Sequence, residues 1–252
     1  IMAYTTIDDP SEYFNTVLWT GNGTDNTSIT GVGFQPDFLW GKQRNTTRSH
    51  RLINSSIPTD YLQSNTNDAE ASVSGLFDSF DSDGFTIDDA SALNQSSGTY
   101  VGWNWKANGG TTTNGGSDDT VSTSTHQANT TAGFSIVTYS GTGTQGHTVA
   151  HGLGVAPEVI LLKARNKSQN WRVFHHKTAS DGTKRLILDQ TNAQEDAAFL
   201  NDTAPSSTVF TLGASDDAWN ASDGTYVAYC FAPIKGYSKF GSYTGNGNAD
   251  GT

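Results

Sequence analysis

Trp19-Thr20-Gly21-Asn22-Gly23 recurs as Tyr139-Ser140-Gly141-Thr142-Gly143 and again as Tyr243-Thr244-Gly245-Asn246-Gly247. Each copy places an aromatic residue in front of a glycine-rich turn. Self-similarity at a long period indicates a repeated structural unit, and it decides how every local pattern is interpreted. The motif therefore predicts two tandem modules followed by the start of a third.

Further matches follow this motif in the same order along the chain. Gly33-Phe34-Gln35-Pro36-Asp37-Phe38-Leu39-Trp40 aligns with Gly154-Val155-Ala156-Pro157-Glu158-Val159-Ile160-Leu161, and Gly98-Thr99-Tyr100-Val101 aligns with Gly224-Thr225-Tyr226-Val227. The spacing drifts slightly between matches, as expected when loops change length and strands do not. The predicted organisation is an N-terminal arm at 1–16, module 1 at 17–107, a Gly/Thr/Ser-rich linker at 108–132, module 2 at 133–237 and a truncated third module at 238–252.

Short apolar runs and abundant turn formers indicate the fold class. Val159-Ile160-Leu161-Leu162 is typical of a strand buried on both faces. The last strand of module 1 alternates, so we expect Val101, Trp103 and Trp105 to face the module core and Tyr100 to point away from it. Helical periodicity is weak, with one or two turns at most over 192–200. The prediction is an all-β protein of tandem, mostly antiparallel, jelly-roll-like β-sandwiches.

Composition limits the classes of partner. The chain has 252 residues and a formal net charge of −11, which disfavours binding to nucleic acid and to anionic membrane surfaces. Cys230 is the only cysteine, so an intrachain disulfide and a cysteine-rich zinc site are excluded. No apolar run approaches the roughly 20 residues that span a bilayer, so no membrane insertion is predicted.

Two segments resemble metal sites. Asp78-Ser79-Phe80-Asp81-Ser82-Asp83-Gly84 has the alternating carboxylates of a calcium loop but lacks the bidentate glutamate of an EF-hand, so an acidic surface turn is favoured. His147 and His151 would share one face of a helix, but the surrounding glycines favour a turn instead. His175 and His176 are adjacent and are expected on opposite faces of a strand, which disfavours a joint site.

Two glutamates and two tryptophans are candidates for catalysis and for sugar binding. Glu70 and Glu195 occupy equivalent positions of the two modules, so the same structural role in each is favoured over a glycosidase pair. Trp171 and Trp219 could stack on sugar rings as exposed aromatics, or could have a core or edge role. No catalytic, cofactor-binding or metal-binding residue is assigned, and no cofactor is predicted.

Three stretches carry a family resemblance: Ala128-Asn129-Thr130-Thr131-Ala132-Gly133-Phe134, His151-Gly152-Leu153-Gly154-Val155-Ala156-Pro157 and Tyr226-Val227-Ala228-Tyr229-Cys230-Phe231-Ala232. They resemble modules of tail fibre and appendage structural proteins of tailed bacteriophages, many of them from viruses of aquatic bacteria. In those proteins the third module continues well past its start, which implies that this chain is the N-terminal part of a longer protein.

The resemblance implies a non-enzymatic virion structural protein, located in a tail or head appendage, that serves host adsorption. It implies attachment to other virion proteins through the N-terminal arm and a symmetric homo-oligomer, with a trimer favoured. A host surface glycan is a further expected partner. The alternative function is a glycan-binding receptor module, and a polysaccharide-degrading enzyme is less favoured. The sequence leaves the host, the receptor and the attachment to tail or capsid open.

Overall fold

A computed structural model describes residues 5–249, whose regular secondary structure is almost entirely β-strand. The first half contributes nine strands: β1 (Phe14–Thr20), β2 (Thr27–Thr30), β3 (Phe38–Gln43), β4 (Arg51–Asn54), β5 (Ile57–Leu62), β6 (Ala71–Ser72), β7 (Phe77–Asp81), β8 (Gly84–Ile87) and β9 (Thr99–Trp105). The second half contributes ten: β10 (Thr113–Asn114), β11 (Thr125–Asn129), β12 (Phe134–Ser140), β13 (Thr148–Ala150), β14 (Val159–Ala164), β15 (Arg172–His175), β16 (Lys184–Ile187), β17 (Glu195–Asp196), β18 (Val209–Thr211) and β19 (Thr225–Phe231).

The strands form two large and two small antiparallel sheets. One large sheet has the order β1-β9-β3-β4-β5-β6, and the other has the order β10-β11-β12-β19-β14-β15-β16-β17. The small sheets are β2-β8-β7 and β13-β18. The predicted all-β, sandwich-like fold class is therefore confirmed, while the finer likeness to a jelly roll stays a prediction.

The two large sheets share one pairing register. Phe38 of β3 pairs with Trp105 of β9, and at the matching place Val159 of β14 pairs with Phe231 of β19. Across the next strand pair, Phe14 lies opposite Trp105, and Phe134 lies opposite Phe231. Register is set by the apolar pattern of each strand, so similar sequences adopt the same pairing. The repeat inferred from the sequence is consistent with these registers, and the module boundaries stay predictions.

Three apolar cores separate the sheets into four layers. The first core fills the space between β2-β8-β7 and the six-stranded sheet, with Leu39 and Phe85 fully buried. The third fills the space between the eight-stranded sheet and β13-β18, with Ile160 and Phe210 fully buried. The middle core joins the two large sheets face to face, and Phe38 of one sheet stacks on Tyr229 of the other with ring centroids 4.3 Å apart.

This layering corrects the predicted orientation of the last strands. Tyr100, expected to point away from the core, is fully buried, and its hydroxyl donates to the Ser91 carbonyl in the same half. On the opposite face, Trp105 packs against the core between the two large sheets. Both faces of β9 therefore contact a core, and alternation within one strand does not reveal which core each face meets.

The recurring glycine motif is a turn held by an asparagine. Asn94 accepts the backbone N–H of Asn22 at 2.9 Å through its side chain, and Asn220 does the same for Thr142 at 3.0 Å. A Cβ on Gly21 would lie 2.3 Å from the Gln95 carbonyl oxygen, so only glycine fits this close approach. In the third copy the aromatic residue differs in burial, since Tyr243 is 94% exposed whereas Tyr139 is buried.

The predicted linker and arm need correction. Within 108–132, β11 pairs with β12 along the edge of the eight-stranded sheet, and β10 pairs with β11. The buried Asp37 carboxylate accepts the N–H groups of Ala107, Gly109 and Gly110, which fixes the start of the connection. Composition suggested flexibility, but buried hydrogen bonds order this segment.

The predicted arm is also part of the fold where the structure describes it. β1 begins at Phe14, Ile7 is buried, and the Tyr13 carbonyl accepts the Lys106 N–H. Residues 1–4 of the arm and 250–252 of the third module lie outside the described residues. In the described part of the chain, helical structure is confined to a 3₁₀ turn at Pro10–Glu12, the short helix α1 (Ser91–Asn94) and a second 3₁₀ turn at Ala198–Leu200. Only the last falls within the region where one or two turns were expected.

Because the middle core belongs to both halves, we expect the chain to unfold in one cooperative transition. Phe38→Ala should lower the free energy of unfolding by about 3–5 kcal/mol, since it removes a fully buried ring stacked on Tyr229. Urea denaturation followed by circular dichroism measures this. Val155→Ala, at a side chain that is 44% exposed, is the control and should change stability by less than about 0.5 kcal/mol. Two separate transitions in the unaltered chain would contradict the shared core.

Candidate functional site

The acidic segment at 78–84 forms the hairpin between β7 and β8. The Asp83 carboxylate accepts the backbone N–H groups of Gly31 at 3.1 Å and Gly33 at 2.6 Å, and Asp81 accepts the hydroxyl of Thr86 at 2.7 Å. These bonds tie the turn to its neighbouring loop. Within residues 5–249, no group of three or more His, Cys, Asp or Glu side chains is arranged to hold a metal ion. The arrangement agrees with an acidic surface turn.

His147 and His151 flank β13 and do not share a helix face. An extended chain separates positions four apart by about 13 Å, too far for one metal ion. His151 is fully buried, and its Nδ1 accepts the Leu153 N–H at 3.2 Å, so its proton lies on Nε2, 3.2 Å from the Ser206 carbonyl. Burial lowers the pKa of His151 to about 4. The residue is a neutral structural bridge between two loops.

The expected separation of His175 and His176 was wrong. β15 ends at His175, and the two rings lie 5.4 Å apart. The Nε2 atom of His176 lies 3.3 Å from a Glu158 carboxylate oxygen and 3.0 Å from the Phe240 carbonyl. This contact attaches the chain that follows β19 to the sheet.

Glu70 and Glu195 each contact an arginine. Glu70 accepts from Arg165 Nε at 2.7 Å, an ion pair that joins the two halves, and its N–H donates to the Arg165 carbonyl. Glu195 accepts from Arg185 Nε at 3.1 Å within the second half. A glycosidase needs two carboxyl groups facing one bond. These two carboxylates instead stabilise local structure.

A buried lysine was missed by the sequence reasoning. Lys163 is fully buried, and its Nζ donates to the Ala164 carbonyl at 2.8 Å and lies 3.4 Å from the carbonyl oxygens of Asn67 and Lys167. Burial lowers its pKa to about 8. Lys42, at the matching position of the first half, donates to the Thr46 carbonyl at 3.0 Å. The two lysines therefore hold equivalent loops in place.

The two tryptophans considered as sugar platforms have different positions. Trp171 is fully buried in the middle core and donates from Nε1 to the Gln63 carbonyl at 2.8 Å, so of the two roles considered for it the core role is the one observed. Trp219 is half-buried, and the guanidinium carbons of Arg172 and Arg185 lie 5.9 and 5.6 Å from its ring centroid. Its face is therefore covered by cations of the same chain.

The accessible aromatic surface lies elsewhere, on the face of the six-stranded sheet that the other large sheet leaves partly uncovered. An apolar groove of about 310 Å³ is lined by Phe14, Trp40, His50, Trp103 and Trp105. A polar cleft of about 470 Å³ adjoins it through Trp40 and His50. Its other lining residues are Ser64, Asn65, Leu188, Asp189, Gln190 and Thr191. The sequence signal for this surface was that Trp103 and Trp105 lie on the same face of a predicted strand. That face was predicted to cover the core of module 1.

Comparison with known proteins places the chain in a family without an assigned activity. A domain of unknown function, DUF7483, matches residues 9–252. The chain belongs to this family. No curated protein and no solved structure matches it. The DUF7483 match spans both halves of the fold. Among residues 5–249, no helix combines the length and apolar character needed to span a bilayer.

His151 should make this DUF7483 domain sensitive to acid. Its pKa is about 4 in the fold against 6.5 for an ordinary histidine, so the unfolded chain takes up a proton first as the pH falls. The stabilisation is complete above pH 6.5 and is lost towards pH 4, by about 3 kcal/mol. His151→Gln keeps an acceptor and a donor but does not titrate, so its stability should decline less over this range. Urea midpoints measured from pH 7 to pH 4 test this, and equal slopes for both proteins would contradict it.

Proposed function

We propose that this DUF7483 chain is a non-enzymatic structural protein of a bacteriophage particle, a subunit of a tail or head appendage that serves host adsorption. The sequence resemblance to appendage modules motivates the proposal. The residues examined as catalytic or metal-binding candidates hold loops and sheets together, which also favours a structural role. The observation that carries it furthest is an open sheet edge suited to assembly with a second copy.

The open edge is β1, the end strand of the six-stranded sheet. At its two ends, the Tyr13 carbonyl accepts the Lys106 N–H and the Gly21 N–H donates to the Gly98 carbonyl, so both groups point towards the β9 side. The backbone groups of Phe14, Thr16, Leu18 and Thr20 therefore point away from β9. The Thr16 N–H is bonded by the Asn15 side chain at 2.9 Å, and among the described strands β1 pairs only with β9.

The matching edge in the second half is covered by a strand. β12 corresponds to β1 in register, and β11 pairs along its outer side, with Gln127 opposite Ile136. The fold therefore accepts an additional antiparallel strand at this position. In the first half the preceding chain forms the 3₁₀ turn at Pro10–Glu12 instead, and no described strand pairs with the outer side of β1.

β1 lacks the features that protect a solitary edge. Its sequence from Phe14 to Thr20 contains no charge and no proline, its pairing with β9 has no bulge, and Leu18 is 62% exposed. Solitary edge strands are usually short, charged or bulged, because a long apolar edge recruits other strands. The other ends of the two large sheets follow this rule, since β6, β10 and β17 have two residues each.

A second copy of the chain is the occupant that fits this edge. With a net charge of −11, two copies repel each other except where their contact surface is uncharged, as it is along β1. A twofold axis at Val17 would bring Leu18 of each copy opposite Thr16 of the other and satisfy both edges at once. Attachment to other virion proteins through the N-terminal region belongs to the same proposal.

Leu18→Lys tests the pairing, because it puts like charges on both strands of the proposed contact. The unaltered chain should have the mass of a dimer at micromolar concentration in light scattering coupled to size exclusion, and Leu18→Lys should be monomeric. Val155→Lys, which adds the same charge at an exposed site away from β1, should remain dimeric. A monomeric unaltered chain would contradict assembly altogether. A trimer would contradict the twofold contact at β1, but it would agree with the homo-oligomer expected from the resemblance.

The location in the particle is tested by immunogold electron microscopy with an antibody against the second half. Label at the tail or baseplate of purified phage particles would support a tail fibre, and label over the capsid would support a head fibre. If intact particles carry no label but a denatured sample of them reacts with the antibody, the protein is part of the particle and its epitope is buried there. The virion role is contradicted if the denatured sample does not react either.

A further inference from the structure

The polar cleft at Trp40 lies where the two large sheets meet, and its walls come from both halves. Trp40, His50 and Ser64 belong to the first half, whereas Gln190 and Thr191 belong to the second. Pockets formed between two structural units, with an aromatic wall and a few polar groups, are the usual form of a small-ligand site.

The cleft exists because the two halves differ at one pair of equivalent positions. The backbone N–H of Trp171 donates to Asp189 Oδ1 at 3.0 Å, and the backbone N–H of His50 donates to Asn65 Oδ1 at 3.0 Å. The two residues, which directly precede β15 and β4, are therefore held in the same way. At one end of the interface the Trp171 indole fills the space against the first half and donates to the Gln63 carbonyl. At the other end the smaller His50 ring leaves the space against residues 188–191 open.

The open space has an aromatic wall fixed in orientation. The Trp40 indole donates from Nε1 to His50 Nδ1 at 2.8 Å, and the two rings are nearly perpendicular at 79°. The groove beside it continues this wall over Trp103 and Trp105, both half-buried. Within residues 5–249 the indole N–H groups of these two residues have no hydrogen-bond partner, so they remain donors for a ligand.

The polar groups around this wall are uncharged except for Asp189, whose carboxylate accepts the Trp171 backbone N–H and the Asn170 side-chain amide. His50 accepts through Nδ1, which places its ring proton on Nε2 as a further donor. The Ser64 hydroxyl, the Gln190 amide and the Thr191 hydroxyl make no side-chain hydrogen bond within the part of the chain that the structure describes. They offer both donors and acceptors at the cleft.

We propose that this cleft binds a neutral hexose unit of a glycan, with one face of the sugar ring against Trp40 and its hydroxyls bonded to His50, Gln190 and Thr191. A sugar ring combines an apolar face with a rim of hydroxyls, which matches an indole wall with donors and acceptors around it, Asp189 being the one charged group among the lining residues. The net charge of −11 disfavours anionic sugars and nucleotides. A glycan bound in this cleft would be a ligand for the proposed role in host adsorption. The proposal of a glycan site does not depend on the protein being part of a virion.

The test begins with the full chain on an array of neutral oligosaccharides of glucose, galactose, mannose and N-acetylglucosamine, together with anionic glycans. The strongest neutral ligand is then titrated calorimetrically. Trp40→Ala should weaken binding at least tenfold because the stacking wall is lost. His50→Trp should weaken it to the same extent by filling the cleft, as Trp171 fills the equivalent space. Trp219→Phe is the control, since Trp219 lies outside the cleft and should leave affinity unchanged.

Circular dichroism and light scattering on the same variants separate this proposal from the assembly proposal. His50→Trp should keep the fold and the oligomeric mass of the unaltered chain while losing the glycan. Binding to anionic glycans alone, the absence of binding to any array member, or unchanged affinity in both cleft variants would each overturn the neutral-hexose site. None of these results would change the expectation for Leu18→Lys.

Discussion

The rest of the structure depends on the apolar contact between the two large sheets. Each sheet already covers a small sheet on one side, so its second face must also be removed from water. The stacked rings of Phe38, Tyr229 and Phe134 fill this contact, and Asn54 donates to the Tyr229 hydroxyl at 3.0 Å across it. Buried polar partners of this kind fix how the sheets meet as well as holding them together. We therefore expect the two halves to unfold as one cooperative unit.

The same contact accounts for the position of the candidate site. Two halves with the same registers meet through the same faces, but their side chains differ in size. Where Trp171 lies at the interface the space is filled, and where His50 takes its place a cleft remains. A difference in side-chain size at one pair of matching positions is therefore enough to leave a cleft at one end of the interface and not at the other. Two residues that line the cleft, Asn65 and Asp189, also accept the backbone N–H groups of His50 and Trp171, which directly precede β4 and β15.

The charge distribution and the sheet edges point to a molecule that avoids non-specific contact over most of its surface. Acidic residues outnumber basic ones by 25 to 14, and most carboxylates described above are engaged in turns or ion pairs. β1 is the exception, as an uncharged strand with an exposed leucine. β11 shows how the fold covers such an edge within one chain. Attraction at β1 and repulsion elsewhere would favour one mode of association over many.

The sequence by itself determined the strands, the turns and the absence of a recognisable catalytic motif. These features depend on neighbours within a few residues: the apolar run from Val159 to Leu162 forms β14, and the glycine motif at Gly21 forms the turn that was expected. Only the tertiary structure decided which core each face of β9 meets. It also showed that Asp37 and β12 order the segment at 108–132. The burial of Trp171 and the accessibility of Trp40 were likewise decided at that level. The contacts that settle these questions join residues far apart in the chain, such as Trp171 and Gln63. Composition and periodicity describe a residue's own segment, whereas its burial is set by the segment that packs against it.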